Sequence, residues 1–227
     1  MVVALALVGQ ERSRDVWRDY AVRALDIRRI GARWHLAIWL LVPVLNLVAV
    51  ALASLLLDST PQWNGLLRFA AAPLSFVPFA LGVLAFGPVP EELGWRGYAL
   101  DGLQTRHGAV AASLILGMAW AVWHLPLFFM TGTFQSEQIG LGPVAFLAFN
   151  VSIIASAVLY TWVYNNTGRS TLSAILLHFV VNLSGEIMGL TPEARVAQSA
   201  LFVLCVVAVV RLWGPKTLVR RKEEAAG

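Results

Sequence analysis

Two adjacent glutamates and an arginine, Glu91, Glu92 and Arg96, stand in the stretch GPVPEELGWRGYAL, inside a chain whose apolar runs otherwise continue for about twenty residues. Further along, WAVWHLPLFF carries His124, and HFVVN supplies His178 and Asn182. These side chains suit hydrolysis: a carboxylate and two imidazoles brought together can polarise water as a general base and its partners. Their spacing narrows the roles. Glu92 and Arg96 are four apart, so on a helix they face each other as an ion pair, which lowers the cost of burying both. Glu91 is rotated about 100° from that pair and is left to point into a cavity. His178 and Asn182, also four apart, share a helix face. The same atoms leave a second chemistry open, because Glu91, His124 and His178 are candidate ligands for a divalent metal such as zinc, although the HExxH helix is absent.

Ionisable groups placed this way need a scaffold, and composition identifies it. Of 227 residues, 58% are hydrophobic and 13% charged, and mean hydropathy is +0.70. Such values predict an all-α polytopic transmembrane bundle, because only helices and closed barrels satisfy backbone polar groups in lipid. Six spans are expected at 35–57, 67–87, 109–130, 143–164, 171–190 and 196–213, the second extended by the motif and broken near Gly87, Pro88 and Pro90. From the nearest basic end, helical rise places Glu91, His124 and His178 at roughly 20, 24 and 12 Å, so all three fall within one hydrocarbon core. Taken singly, each histidine is compatible with ordinary packing; a shared depth favours a site. Asn46 and Asn150 are expected to bond between helices. Cys205, the single cysteine, lies in an apolar run as a packing residue, which excludes a disulfide framework.

The chain divides into 1–34, a partial helix and a basic amphipathic segment; 35–213, the membrane domain; and 214–227, a charged tail. QERSRDVWRDYAVRALDIRRIGARW has the interleaved basic and apolar residues of a helix lying on an anionic membrane face. Basic residues crowd this segment, the loops 104–108 and 165–170 and the tail, while the other ends carry Arg68 and Arg195. That asymmetry predicts an integral membrane protein with its basic loops and C-terminus cytoplasmic, and an arginine-rich, lysine-poor composition points to a bacterial cell membrane. It also assigns the positive charge to topology and the lipid bilayer, so no nucleic acid partner is expected.

EELGWR, WAVWH and HFVVN resemble, in order and spacing, the three motifs of the CAAX protease and bacteriocin-processing (CPBP or Abi) family of intramembrane proteases, related to the Ras-converting CAAX endopeptidases; RWHLAIWLLVP is also similar. The resemblance implies a polar cavity open toward the cytoplasm and endopeptidase activity on a membrane-associated protein or peptide. In that reading Glu91 activates water with help from His124, His178 and Asn182 stabilise the oxyanion, and Glu92 and Arg96 hold the geometry. Family members are described both as metalloproteases and as glutamate proteases. One departure is Trp120, where the motif usually has Phe; it keeps an aromatic wall of different size. Another is the start at Met1 inside what looks like an earlier helix, the expectation being a shortened member. Two rival readings use the same residues: a non-catalytic peptide-binding scaffold or immunity-like protein, and a proton-coupled transporter, which the absence of repeated halves disfavours.

Overall fold

In a computed structural model, which describes residues 14–220, the chain folds into helices alone among the described residues. The partial helix expected at Met1 to Val8 and the tail residues 221–227 lie outside them. Six helical stretches are long and apolar enough to cross a membrane: Ala32–Leu56, Pro73–Gln104, Ala109–Phe129, Pro143–Asn166, Thr171–Met188 and Pro192–Trp213.

The basic segment forms α1 (Arg14–Leu25), and a 3-10 turn capped by Asp26 leads into α2 (Ala32–Leu56). The Arg28 side chain hydrogen-bonded to Asp26 holds that carboxyl below the usual carboxylate range. α1 does more than lie on a surface, since Tyr20 and Arg23 are buried against the protein. On α2, Trp34, Ile38, Val42, Asn46, Ala49 and Ala53 form one buried stripe at helical spacing, while Leu36, Leu40, Val44 and Leu47 on the other faces are exposed and suit lipid.

The second span departs from expectation at its start. Asn64–Ala71 is a separate short helix, α3, and the chain breaks at Ala72, because the residue before Pro73 is disfavoured in helical conformation. α3 approaches the end of the fifth long helical stretch so closely that a Cβ at Gly65 would lie 2.3 Å from the Glu186 carbonyl. The span then runs through α4 (Phe76–Phe86), a break at Gly87, α5 (Pro88–Gly94), a π-helical turn over Trp95–Ala99, and α6 (Leu100–Gln104). The Gly87 break falls where the glycine and prolines predict it.

α7 (Ala109–His124) ends in a 3-10 turn containing Pro126, followed by the short α8 (Phe134–Gly140), which Thr133 caps. Helices α9 (Pro143–Asn166), α10 (Thr171–Met188) and α11 (Pro192–Trp213) complete the bundle. α9 is its centre, packed on α7 and α11 and buried without interruption over residues 155–164. All-round burial explains its lack of a polar face. Gly117 lets α7 and α9 close, since a Cβ there would meet the Ala157 Cβ at 2.9 Å. Asn46 bonds between helices as expected, donating to Ser184 at 2.9 Å and accepting from Gln198 at 2.5 Å. Asn150 does not: its amide donates 2.7 Å to Phe146 on its own helix, where a carbonyl one turn back is the nearest acceptor.

Candidate active site

The buried pair comes first, because it fixes the rest. Glu92 and Arg96 are both fully buried, and Arg96 Nη1 donates to the two Glu92 oxygens at 2.9 Å each. A pair inaccessible to water needs further partners. Nη2 donates 3.4 Å to the Ala157 carbonyl, and the guanidinium carbon lies 5.2 Å from the Trp120 ring centroid and 4.9 Å from that of Tyr160. Glu92 Oε1 also accepts from His178 Nδ1 at 3.0 Å, which leaves Nε2 facing the cavity that His178 lines.

Arg96 belongs to the π-helical turn, and such turns displace carbonyls from the regular bonding pattern. Here α1 supplies donors. Tyr20 Oη donates to the Leu93 carbonyl at 2.9 Å and Arg23 Nη2 to the Gly97 carbonyl at 3.2 Å. Arg23 also donates to Asp101 and to the Tyr164 hydroxyl, each at 2.7 Å, while Tyr164 donates to Asp101 at 2.9 Å. Arg169 closes this clasp on Asp101, and the hydrogen bond raises its pKa further above the ordinary arginine value. The clasp seals the basic end of the bundle beneath the motif helix.

Glu91 faces away from the pair. Its Oε2 accepts a 2.7 Å hydrogen bond from Trp120 Nε1, with Trp120 itself buried. Its Oε1 and the Asn182 amide nitrogen converge beside Gly87, lying 3.9 and 3.5 Å from the point a Cβ on that glycine would occupy. His124 Nδ1 meets the Trp120 carbonyl at 2.8 Å, so it carries the donated proton and Nε2 is the free acceptor. Glu91, His124, His178 and Asn182 all line one cavity of about 790 Å³, with Glu92 and Arg96 packed directly behind. The structure thus brings together all six residues the sequence singles out.

The metal alternative fares differently. Among the described residues no three or more His, Cys, Asp or Glu side chains stand together as an ion's ligands, and both Nδ1 atoms and one Glu91 oxygen have protein partners. Glu91, His124 and His178 share the cavity without forming a three-donor set.

Trp120 is the residue the sequence undervalues. Beyond an aromatic wall it is a hydrogen-bond donor to Glu91, with its ring 5.9 Å from His124, 5.3 Å from His178 and 5.9 Å from Tyr160. The cue was the departure from Phe, since only Trp carries the N–H. Tyr160, Ser152 and Ser156 also line the cavity but sit in an apolar run without spacing to mark them.

The cavity runs from this floor away from the basic end, toward Phe134, Gln138, Glu186 and Arg195. Basic loops in the cytoplasm and a cavity open toward the cytoplasm, both expected from sequence, therefore do not fit one orientation of this fold. Sideways the cavity is lined by both α4 and α7, and α4 packs mainly on α10 and α5.

Fold and site together define a polytopic helical membrane protein built around a buried constellation of carboxylates and imidazoles. Residues 73–184 match the family model of the type II CAAX prenyl endopeptidase Rce1-like proteins. Over 209 residues, 92% of this chain and 76% of the relative, the sequence is 28% identical to CAAX prenyl protease 2 of Methanococcus maripaludis. The sequence is thus similar to Rce1-like CAAX prenyl endopeptidases over the region that carries the site.

Proposed function

We propose that this chain is an intramembrane endopeptidase that hydrolyses a peptide bond of a membrane-associated, CAAX-type protein or peptide with a water activated by Glu91. The observation that carries the reading is the asymmetry of the Glu91 carboxylate: one oxygen is held by Trp120, and the other is free beside the Asn182 amide in the cavity. A fixed base with one open oxygen is what proton abstraction from a bound water requires.

Water bonded to Glu91 Oε1 attacks the scissile carbonyl carbon and passes its proton to the carboxylate, with the free Nε2 of His124 accepting the second water hydrogen in a hydrogen bond. The carbonyl oxygen becomes an oxyanion. Asn182 donates to it, and His178, held through Nδ1 by Glu92, donates from Nε2 when its ring carries both protons. Collapse of the tetrahedral intermediate breaks the C–N bond, and the proton on Glu91 moves to the leaving amine. The exposed apolar side chains of α4 and α7, Leu81, Phe86, Met118 and Val122 among them, suit a substrate that arrives through the lipid.

The test is mass spectrometry of a farnesylated peptide ending Cys-Val-Val-Ser, incubated with proteoliposomes of wild type or Glu91→Ala, with and without 1,10-phenanthroline. Cleavage by the wild type alone, unchanged by the chelator, is expected. Cleavage by Glu91→Ala would refute the assignment of the base, and loss on chelation that zinc restores would add a metal to the steps above. Binding of the peptide by the wild type without cleavage would favour the scaffold.

A further inference from the structure

The basic end of the bundle holds a crevice that the mechanism does not use. Its volume is about 820 Å³, and it is lined by the last residues of α11 and by the loop that follows, as far as Arg220. That loop is firmly built. Its successive carbonyls at Pro215, Lys216, Thr217 and Leu218 accept from the Val110 N–H at 3.1 Å, the Ala109 N–H at 2.7 Å, the Asn165 amide at 2.8 Å and the Asn166 amide at 2.6 Å. Leu218 is fully buried at a φ of +53°, a left-handed conformation that leucine keeps only where its surroundings impose it. Capping the first turn of α7 explains the bonds to Ala109 and Val110. It does not explain the two cations, Lys216 and Arg220, that the pinned backbone leaves exposed at the crevice.

Among the described residues neither Lys216 nor Arg220 forms a salt bridge. Arg220 stacks instead on Trp213, its guanidinium carbon 5.4 Å from the ring centroid, which leaves the edge donors of the fork open. From Trp213 a row of indoles continues inward, 5.1 Å to Trp162 and 4.9 Å on to Trp34. Both inner rings are buried, and Nε1 of each lacks an acceptor. Donor side chains gather at this corner, and among the described residues no carboxylate pairs with them.

Position says which anion fits. α11 ends at Trp213, so residues 214–220 lie just past an apolar span, at the depth where tryptophan rings and lipid phosphates meet in a bilayer. Leu212 and Val219 are exposed on the walls of the same crevice, an apolar surface for glycerol and the first acyl carbons that a free phosphate ion would not use. We infer that this crevice binds the phosphate of an anionic phospholipid, with Lys216 and Arg220 as its ligands and Trp213 as the wall beside the headgroup. A zwitterionic lipid binds less well, because its own ammonium competes with the two cations for the phosphate. The site is independent of the endopeptidase reading, since its lining shares no residue with the Glu91 cavity.

Native mass spectrometry of the full-length protein, released from a nonionic detergent, gives the Kd of the first bound dioleoylphosphatidylglycerol and, separately, of dioleoylphosphatidylcholine. The wild type should prefer the anionic lipid by about tenfold to thirtyfold, the fold-change expected of two basic side chains at an anionic headgroup. In Lys216→Gln/Arg220→Gln the ratio falls to about one, whereas Lys216→Arg/Arg220→Lys, which keeps both charges, retains most of it. Arg14→Gln/Arg18→Gln removes the same charge from exposed positions on α1 and should leave the ratio unchanged. Millimolar ammonium phosphate should not displace the lipid. Equal affinity of the wild type for the two lipids, an equal loss of preference in the α1 pair, or displacement by phosphate would each overturn the proposal; the second result would reduce the effect to diffuse surface charge, and the third would make the crevice a site for the free ion.

Discussion

Trp120→Phe isolates a single hydrogen bond. The phenyl ring keeps an aromatic surface toward Arg96, His124, His178 and Tyr160 and deletes only the indole end that donates 2.7 Å to Glu91. A hydrogen bond to a charged group contributes about 1.5–3 kcal/mol. If that bond holds the carboxylate in its reactive position, kcat falls by roughly tenfold to 150-fold, with KM little changed because the base acts in the transition state and not in ground-state binding. The assay is turnover of the farnesylated peptide in proteoliposomes across a range of substrate concentration, with thermal unfolding measured in parallel. The truncation removes little buried volume, so the melting temperature should drop far less than for Trp120→Ala, which empties the hub of the site. A Trp120→Phe enzyme with wild-type kcat would refute the positioning role, and loss of kcat only in proportion to loss of folded protein would reduce Trp120 to packing.

Two further outcomes follow from the packing around the site. Glu92→Leu or Arg96→Met alone strands a charge at a fully buried position and should destabilise by about 3–5 kcal/mol, while the double variant recovers most of the folding but not turnover, since His178 Nδ1 has lost its acceptor; unfolding in graded SDS together with peptide cleavage would show both. Gly117→Val forces atoms into Ala157 and Ile154 across the α7 and α9 interface and should cost about 1–3 kcal/mol, whereas Gly102→Ala, with open space at its Cβ, should leave the melting temperature unchanged or slightly raised.

Local pattern carried much of this protein. Six apolar runs set the helices, because the cost of unpaired backbone in lipid leaves little other choice. Glu92 and Arg96 could be paired from the i, i+4 rule alone, and the break at Gly87 from its neighbouring prolines. Where local pattern misled, the competing cause was geometric. Asn150 found an acceptor on its own helix. The second span began late because α3 folds separately ahead of Pro73. α1, read as a surface helix, uses Tyr20 and Arg23 to satisfy the π-helical turn, a feature that sequence spacing does not announce.

The amino-acid sequence alone therefore determined the medium, the helices and the chemical types gathered near mid-membrane, since hydrophobic length and helical periodicity are properties of neighbouring residues. Tertiary structure alone decided which helix faces meet. It tied His178 to Glu92 across 86 positions and Trp120 to Glu91 across 29, left one Glu91 oxygen free, and turned the cavity toward Arg195 and away from the basic end. Periodicity defines a face on each helix, but the rotation and depth of one helix against another are set by packing on α9, by Gly117 and by the buried ion pair, and those terms exist only once the bundle has closed.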